Sequence, residues 1–374
     1  MAWRRDTGKF AIPRLYLFYH LLPLPLRRRI VVLHELQTLE RMSVMPEGKK
    51  RILTGDRPTG SLHLGHYVGS LANRVKLQEE YESYIIIADV QALTTHWEKD
   101  ENLKRDVFQI TGDYLAVGID PELSTIFIQS MIPEIHELTM YYSMFTSVNV
   151  LRHNPTVKTE AAQHGFSDMT YGFLGYPVSQ AADISIFKAH LVPVGEDQIP
   201  HIELARKIVR RFNDLYKPVL VEPEVLVGDV PRLIGLDGKA KMSKSLNNAI
   251  FLADTADEVW QKIRNAVTDP ARIHKTDLGH PEVCTVYEYH RVFNPEEAGE
   301  IESDCRQGHI GCVNCKKKLS VQINRLLEPM RERREKYDHQ AIREILLEGT
   351  KKAHRVALDT MAEVREAMGI NYLG

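Results

Sequence analysis

Short unbroken apolar runs alternate along the first two thirds of this chain with longer stretches whose apolar positions recur every three or four residues. The runs at 51–54, 84–88 (Tyr-Ile-Ile-Ile-Ala) and 125–129 (Thr-Ile-Phe-Ile-Gln) are too short for helices. They lack polar alternation, so they predict strands buried on both faces of a parallel sheet. Residues 70–80, with Leu71, Val75 and Leu77 at roughly helical spacing, and 102–117, closed by Gly118, predict helices between them. Strand–helix alternation implies an α/β fold, and such sheets bind ligands at the carboxyl ends of their strands. Asp89 and Ser130 fall just past two of those ends. Residues 133–175 read as an inserted, mostly helical segment, and Gly195 opens a further helix reaching to about Phe212. From about Asp254 strand signals disappear and long amphipathic helices take over. The last of these, 349–368, carries Ala353, Val356, Met361, Val364 and Met368 on one stripe, which predicts core packing.

Residues 1–45 stand outside this rhythm. Their apolar part, 10–26, is broken by Pro13, Arg14, Pro23 and Pro25 and is followed by Arg27, Arg28 and Arg29. A basic, nearly acid-free start suits a targeting peptide. An upstream start codon, with translation beginning at Met42 or Met45, is the simpler reading and the one favoured here. The chain has 374 residues, enough for two domains with real cores. A net charge of −2 gives no general affinity for nucleic acid, so any RNA partner must meet local basic patches. The clusters Lys316, Lys317, Lys318 and Arg331, Arg333, Arg334 are candidates, although each is equally well a solvated helix face. No apolar run is long enough for a membrane span. Four cysteines in so long a chain do not make a secreted disulfide scaffold.

Two motifs carry the candidate chemistry. The first, Thr54-Gly55-Asp56-Arg57-Pro58-Thr59-Gly60-Ser61-Leu62-His63-Leu64-Gly65-His66, joins the first strand to the first helix. Such a turn aims helix N-terminal N–H groups at an anion. His63 and His66 share a face of the first helical turn, where two imidazoles can bond phosphate oxygens. The second, Lys241-Met242-Ser243-Lys244-Ser245, offers two ammonium groups and two hydroxyls on a loop preceded by Gly235 and Gly238. Both motifs, in this order, resemble the paired signatures of class I aminoacyl-tRNA synthetases. The segments 176–184 (Tyr-Pro-Val-Ser-Gln-Ala-Ala-Asp-Ile) and 194–198 (Val-Gly-Glu-Asp-Gln) are similar to the tryptophanyl family of that class, and the likeness runs from about Lys50 to Gly369.

That resemblance implies a Rossmann-like parallel-sheet catalytic domain at 46–253 and an all-helical anticodon-binding domain at 254–374. It implies ATP-dependent activation of L-tryptophan and its transfer to tRNA(Trp) by a cytoplasmic homodimer with no membrane attachment. His63, His66, Lys158, Lys241 and Lys244 would act on the phosphates, with Mg²⁺ sharing the charge. Arg57, Pro58, Thr59, Gly65, Gly195, Glu196, Asp197, Met242, Ser243 and Ser245 would line the ATP site. Leu233 or a neighbour would meet adenine through its backbone. Taken alone, Lys158 is an ordinary exposed loop lysine. Asp183, among Ala181, Ala182, Ile184 and Ile186, needs a partner if buried. The indole N–H of tryptophan is a donor only and suits it. The alternative is a helix-capping aspartate. Gln198 would face the amino acid, while His201 packs or caps. The family often carries a histidine where this chain has Gln91, two residues after Asp89, so Gln91 is the substrate-side departure. That departure leaves open a non-catalytic paralogue. A small cofactor adenylyltransferase would share the histidine turn but not the lysine loop.

All four cysteines, Cys284, Cys305, Cys312 and Cys315, lie in the helical C-terminal part. Soft thiolates at such spacing suit an iron–sulfur cluster or Zn²⁺, or remain free thiols. A subset of the tryptophanyl family is similar here and carries a 4Fe–4S cluster.

Overall fold

The structure is a computed structural model. It describes residues 48–98, 101–227, 233–240, 242–243 and 246–372. The N-terminal extension 1–45 and the motif residues Lys241, Lys244 and Ser245 lie outside the described residues.

Among the described residues, five strands form one parallel sheet. They are β1 (Arg51–Asp56), β2 (Glu82–Ile87), β3 (Ser124–Ile128), β4 (Leu191–Val194) and β5 (Glu224–Val227), in the order β3-β2-β1-β4-β5. The register sets Thr54 beside Ile85 and Ile86 beside Phe127. Period-two geometry sends successive side chains of β2 to opposite faces. Ile85 and Ile87 join one core with Leu64, Leu71, Ile110, Tyr114 and Ile323, while Tyr84 and Ile86 join another with Ile135, Tyr142, Ile184, Phe187 and Met361. Both faces are therefore covered, which is why this strand reads as a continuous apolar run. Strands β4 and β5 gave no usable signal. Each has four residues, and β4 contains Pro193, which has no N–H to give to a ladder.

Helix α1 runs continuously from 64 to 80 and passes through a π-helical stretch, Tyr67–Leu71. Helix α2 (Leu103–Val117) ends as expected at Gly118, whose φ of 106° favours glycine. The inserted segment supplies α3 (Pro133–Ser143), α4 (Pro155–Gln163) and α5 (Tyr171–Ile186), and α6 (Ile199–Leu215) follows β4. Beyond it come α7 (Ala256–Asn265), α8 (Thr285–Phe293), α9 (Pro295–Arg306), α10 (Cys312–Glu335) and α11 (His339–Met368).

Helix α11 buries Ile342, Leu346, Ala353, Ala357, Met361 and Val364. Ala357 is on the inner face, and Val356 and Met368 lie at its margin. At Gly349 a Cβ would stand 2.0 Å from the Ile126 carbonyl oxygen, so the helix backbone rests directly on β3. The arginines near the end of α10 are not a free basic face. Arg331 donates to the Asp254 carbonyl (2.9 Å), Arg333 to the Ala116 carbonyl (2.7 Å), and Arg334 to the Asp113 carboxylate. Lys316 caps the end of α7 through the Arg264 and Ala266 carbonyls, 2.8 and 2.7 Å away. No described helix is long and apolar enough to cross a membrane.

Candidate active site

The strand order reverses between β1 and β4, and the turn after β1 opens into that crevice. Asp56, the last residue of β1, is half-buried against Arg74 (2.5 Å) and the Tyr114 hydroxyl (2.7 Å). Burial alone would push its carboxyl up, but the Arg74 charge and hydrogen bonds overcome that and bring the pKa down to about 2. The strand end is thus clamped before the turn begins. Past it, the His63 and His66 rings sit with centroids 3.8 Å apart. His66 Nδ1 accepts the His63 backbone N–H at 3.2 Å, which leaves the proton of the neutral ring on Nε2, a donor.

Met242 of the second motif meets the first. The Gly65 N–H points at Met242 Sδ, 3.4 Å away. A Cβ at Gly65 would fall 2.9 Å from two His63 ring atoms, so only glycine fits between the histidine and the methionine. Flanking backbone bonds seal the contact: Leu64 N–H to the Ile250 carbonyl (2.9 Å) and Leu252 N–H to the Leu62 carbonyl (3.0 Å). Within the loop, Met242 N–H donates to the Leu233 carbonyl (3.3 Å) and Ser243 N–H to Asn248 Oδ1 (2.8 Å). Of the remaining ATP-side candidates, Pro58 is buried, Thr59 is exposed, and Lys158 is exposed on α4. Arg57 pairs with Glu160 of α4 at 3.5 Å. Gly195, Glu196 and Asp197 follow the end of β4, with Glu196 and Asp197 exposed and the Asp197 carbonyl accepting from the Thr156 hydroxyl (3.0 Å).

Asp183 lies inside α5, not at its cap, and is 3% exposed. Burial pushes its pKa up to about 7, opposed by a hydrogen bond from Gln129 and reinforced by the charge of Asp89. Gln129 Nε2 donates to both Asp183 oxygens, at 2.8 and 3.0 Å, and its Oε1 accepts the Gln91 backbone N–H at 3.1 Å. Asp89 in turn accepts from the Ser130 N–H (2.9 Å) and hydroxyl (2.5 Å). The ends of β2 and β3 and the helix α5 thereby form one polar chain, buried at Asp89, Gln129 and Asp183 and reaching the surface at Ser130. Gln129 is fully buried and was missed in the sequence, although it is the first residue past a strand end, where the α/β rule directs attention. His201 packs: burial holds its pKa near 4, and it bonds the Tyr176 hydroxyl at 2.9 Å. Gln198 is half-buried beside Asp197, 3.3 Å from its carboxylate.

The four cysteines form no disulfide. Burial pushes the Cys284 and Cys305 thiols up, and Cys315 up to about 12, and neighbouring thiols add to each shift. Cys315 feels all three of the others, so the set converges on one region. A Cβ at Gly279 would lie 2.4 Å from Cys305 Sγ, so a glycine leaves that thiol its room. Among the described residues, however, no three His, Cys, Asp or Glu side chains are arranged to hold a metal ion.

A strand–turn–helix with paired histidines, Met242 packed against it, and a buried carboxylate on α5 make this crevice the candidate site of a nucleotide-dependent enzyme. The model of the class I tRNA synthetases for W and Y matches residues 45–328, and the chain belongs to that family. It is 51% identical over 334 residues to the tryptophan–tRNA ligase of Clostridium longisporum, covering 87% of this chain and 98% of that one. A tryptophan–tRNA ligase of Streptococcus pyogenes is also 51% identical, over 337 residues, with 87% and 99% covered. Among solved structures, the Campylobacter jejuni tryptophanyl-tRNA synthetase complexed with ADP and tryptophan superposes with a TM-score of 0.77 at 31% identity, covering 85% of this chain and 99% of that one. The activity is that of a tryptophan–tRNA ligase, which joins L-tryptophan to tRNA at the expense of ATP.

Proposed function

We propose that the triphosphate of ATP lies over the 57–66 turn, between the two histidines and the 241–245 loop, with tryptophan beside it against Asp183. The Gly65–Met242 contact is the observation that carries this reading, because it sets against the histidine turn the methionine that Lys241 precedes and Lys244 follows two residues later in sequence. The tryptophan carboxylate is ionised at neutral pH and attacks the α-phosphorus without a general base. Pyrophosphate leaves, and tryptophanyl-adenylate forms. His63 and His66 donate hydrogen bonds, and Lys158, Lys241 and Lys244 add positive charge, to phosphate oxygens as charge builds on them. Mg²⁺ bound to the pyrophosphate oxygens would supply further neutralisation. Asp197 would bond the ribose hydroxyls, Leu233 the adenine, and Gln91 and Gln198 the amino acid. Asp183 would accept the indole N–H, and a site with a buried acceptor rejects side chains that lack the donor. In the second step a terminal ribose hydroxyl of tRNA(Trp) attacks the adenylate carbonyl and AMP departs.

The helical part from 254 onward would read the anticodon, where unpaired bases can stack and hydrogen-bond. Cys284, Cys305, Cys312 and Cys315 would hold a 4Fe–4S cluster there. Four thiols within one another's electrostatic reach fit that donor set, and Zn²⁺ is the alternative. A cytoplasmic homodimer fits the exposed Met140, Met144, Val148 and Val150 on and beyond α3. The decisive experiment is tryptophan-dependent ATP–pyrophosphate exchange by wild type, His63→Ala and His66→Ala. Each variant is expected to lose about a hundredfold or more in kcat, and unchanged exchange by both rejects the phosphate assignment.

A further inference from the structure

Leu62 immediately precedes His63, and both of its backbone groups are held. Its carbonyl accepts from Leu252 (3.0 Å), beyond the lysine loop. Its N–H donates to Asp113 Oδ2 at 2.7 Å. Asp113 belongs to the interior of α2 and is fully buried. A carboxylate among Ile110, Tyr114 and Leu115 is costly unless a charge and hydrogen bonds meet it. Its other oxygen, Oδ1, meets the guanidinium of Arg334, from the last turn of α10. A Cβ on Gly112 would stand 3.3 Å from Arg334 Nη1, so the neighbouring residue leaves the guanidinium its seat. Arg333 beside it bonds the Ala116 carbonyl, fixing the same end of α10 to the same helix.

We propose that Asp113 and Arg334 are positioning residues for adenylate formation: Arg334 orients the Asp113 carboxylate, and Asp113 sets the height of the His63–His66 turn through the Leu62 N–H. This rests on the reading of that turn as the phosphate site. The geometry gives α10 a second role. Its first turn carries Cys312 and Cys315 and its last holds the turn's anchor, so one 24-residue helix joins the cysteine region to the reacting phosphates. A packing support would affect how much enzyme is folded. A positioning support affects the rate on enzyme that is folded and loaded, because a displacement of about 1 Å at the reacting groups costs about a hundredfold.

The test measures tryptophan-dependent ATP–pyrophosphate exchange per active site, with sites titrated by adenylate formation and folding followed by circular dichroism. Asp113→Ala is expected to lower kcat about a hundredfold with the tryptophan KM within about twofold, since the indole pocket is built from other elements. Asp113→Asn keeps an acceptor for the Leu62 N–H and should recover about tenfold of that loss. Arg334→Gln, on a partly exposed residue that folding tolerates better, should lower kcat about tenfold. His66→Ala is run in parallel. If it cripples exchange while Asp113→Ala and Arg334→Gln match wild type per active site, the positioning role is overturned and the phosphate reading stands. If His66→Ala is itself silent, the phosphate reading fails first and this inference falls with it. Equal losses in kcat and tryptophan affinity, unrelieved by Asp113→Asn, would also overturn the positioning role.

Discussion

Asp183→Asn separates what the buried carboxylate costs from what it does. In the free enzyme Asp183 is fully enclosed and its pKa rises from 3.8 to about 7, chiefly through burial. At about 1.4 kcal/mol for each pH unit, keeping it ionised above pH 7 costs the fold up to roughly 4 kcal/mol. The sign follows from proton binding. Between pH 3.8 and about 7 the native state holds a proton that the unfolded chain has lost, so stability falls as pH rises through that window and then levels off. The amide variant carries no such penalty. It should melt higher than wild type at pH 8, and the advantage should vanish at pH 4. Its amide oxygen can still accept from Gln129 Nε2, which leaves the amide N–H₂ facing the ring site. Two donors then meet where a charged acceptor stood, and the loss in tryptophan binding should be about 1.5–3 kcal/mol, roughly ten- to a hundredfold in KM. In wild type the tryptophan KM should fall as pH rises from 6 to 8, while the variant stays flat. Melting scans at both pH values and a KM–pH profile read all of this. A flat wild-type profile, or an unchanged KM in the variant at pH 8, refutes the reasoning.

Further expectations follow from the same geometry. Asp56→Asn leaves Arg74 buried without its partner and should cost about 3–5 kcal/mol in chemical denaturation. Because the Asp56 pKa is depressed from 3.8 to about 2, the stability it adds is full above pH 4 and lost as pH falls towards 2, a limb of the acid-denaturation curve that the variant should lack. Gly349→Ala drives a methyl group into the Ile126 carbonyl, 2.0 Å away, and should cost more than about 3 kcal/mol or abolish folding; a wild-type melting temperature would contradict the close approach of α11 to β3. Protein purified without oxygen should contain iron and absorb in the visible. Colourless, iron-free protein removes the cluster, and stoichiometric zinc in its place would assign the four thiols to that ion.

Sequence alone determined the class of fold and named the candidate site residues. Strands β1, β2 and β3, the helices between them and the all-helical end were legible because burial on two faces leaves unbroken apolar runs, and burial on one leaves a helical stripe. The histidine turn, the lysine loop and Asp183 were legible because their chemistry sits in contiguous residues. The short strands β4 and β5 were not, since four residues carry too little pattern and pairing with neighbours decides them. Only the tertiary structure brought Gln129 to Asp183, 54 residues away, and Arg334 to Asp113, 221 residues away. It also turned a basic cluster that reads as phosphate-binding or solvent-facing into anchors, from Arg331 to the Asp254 carbonyl and from Arg333 and Arg334 to α2. A buried carboxylate demands a partner, but the sequence does not say which one, because the fold chooses it by distance in space and not along the chain.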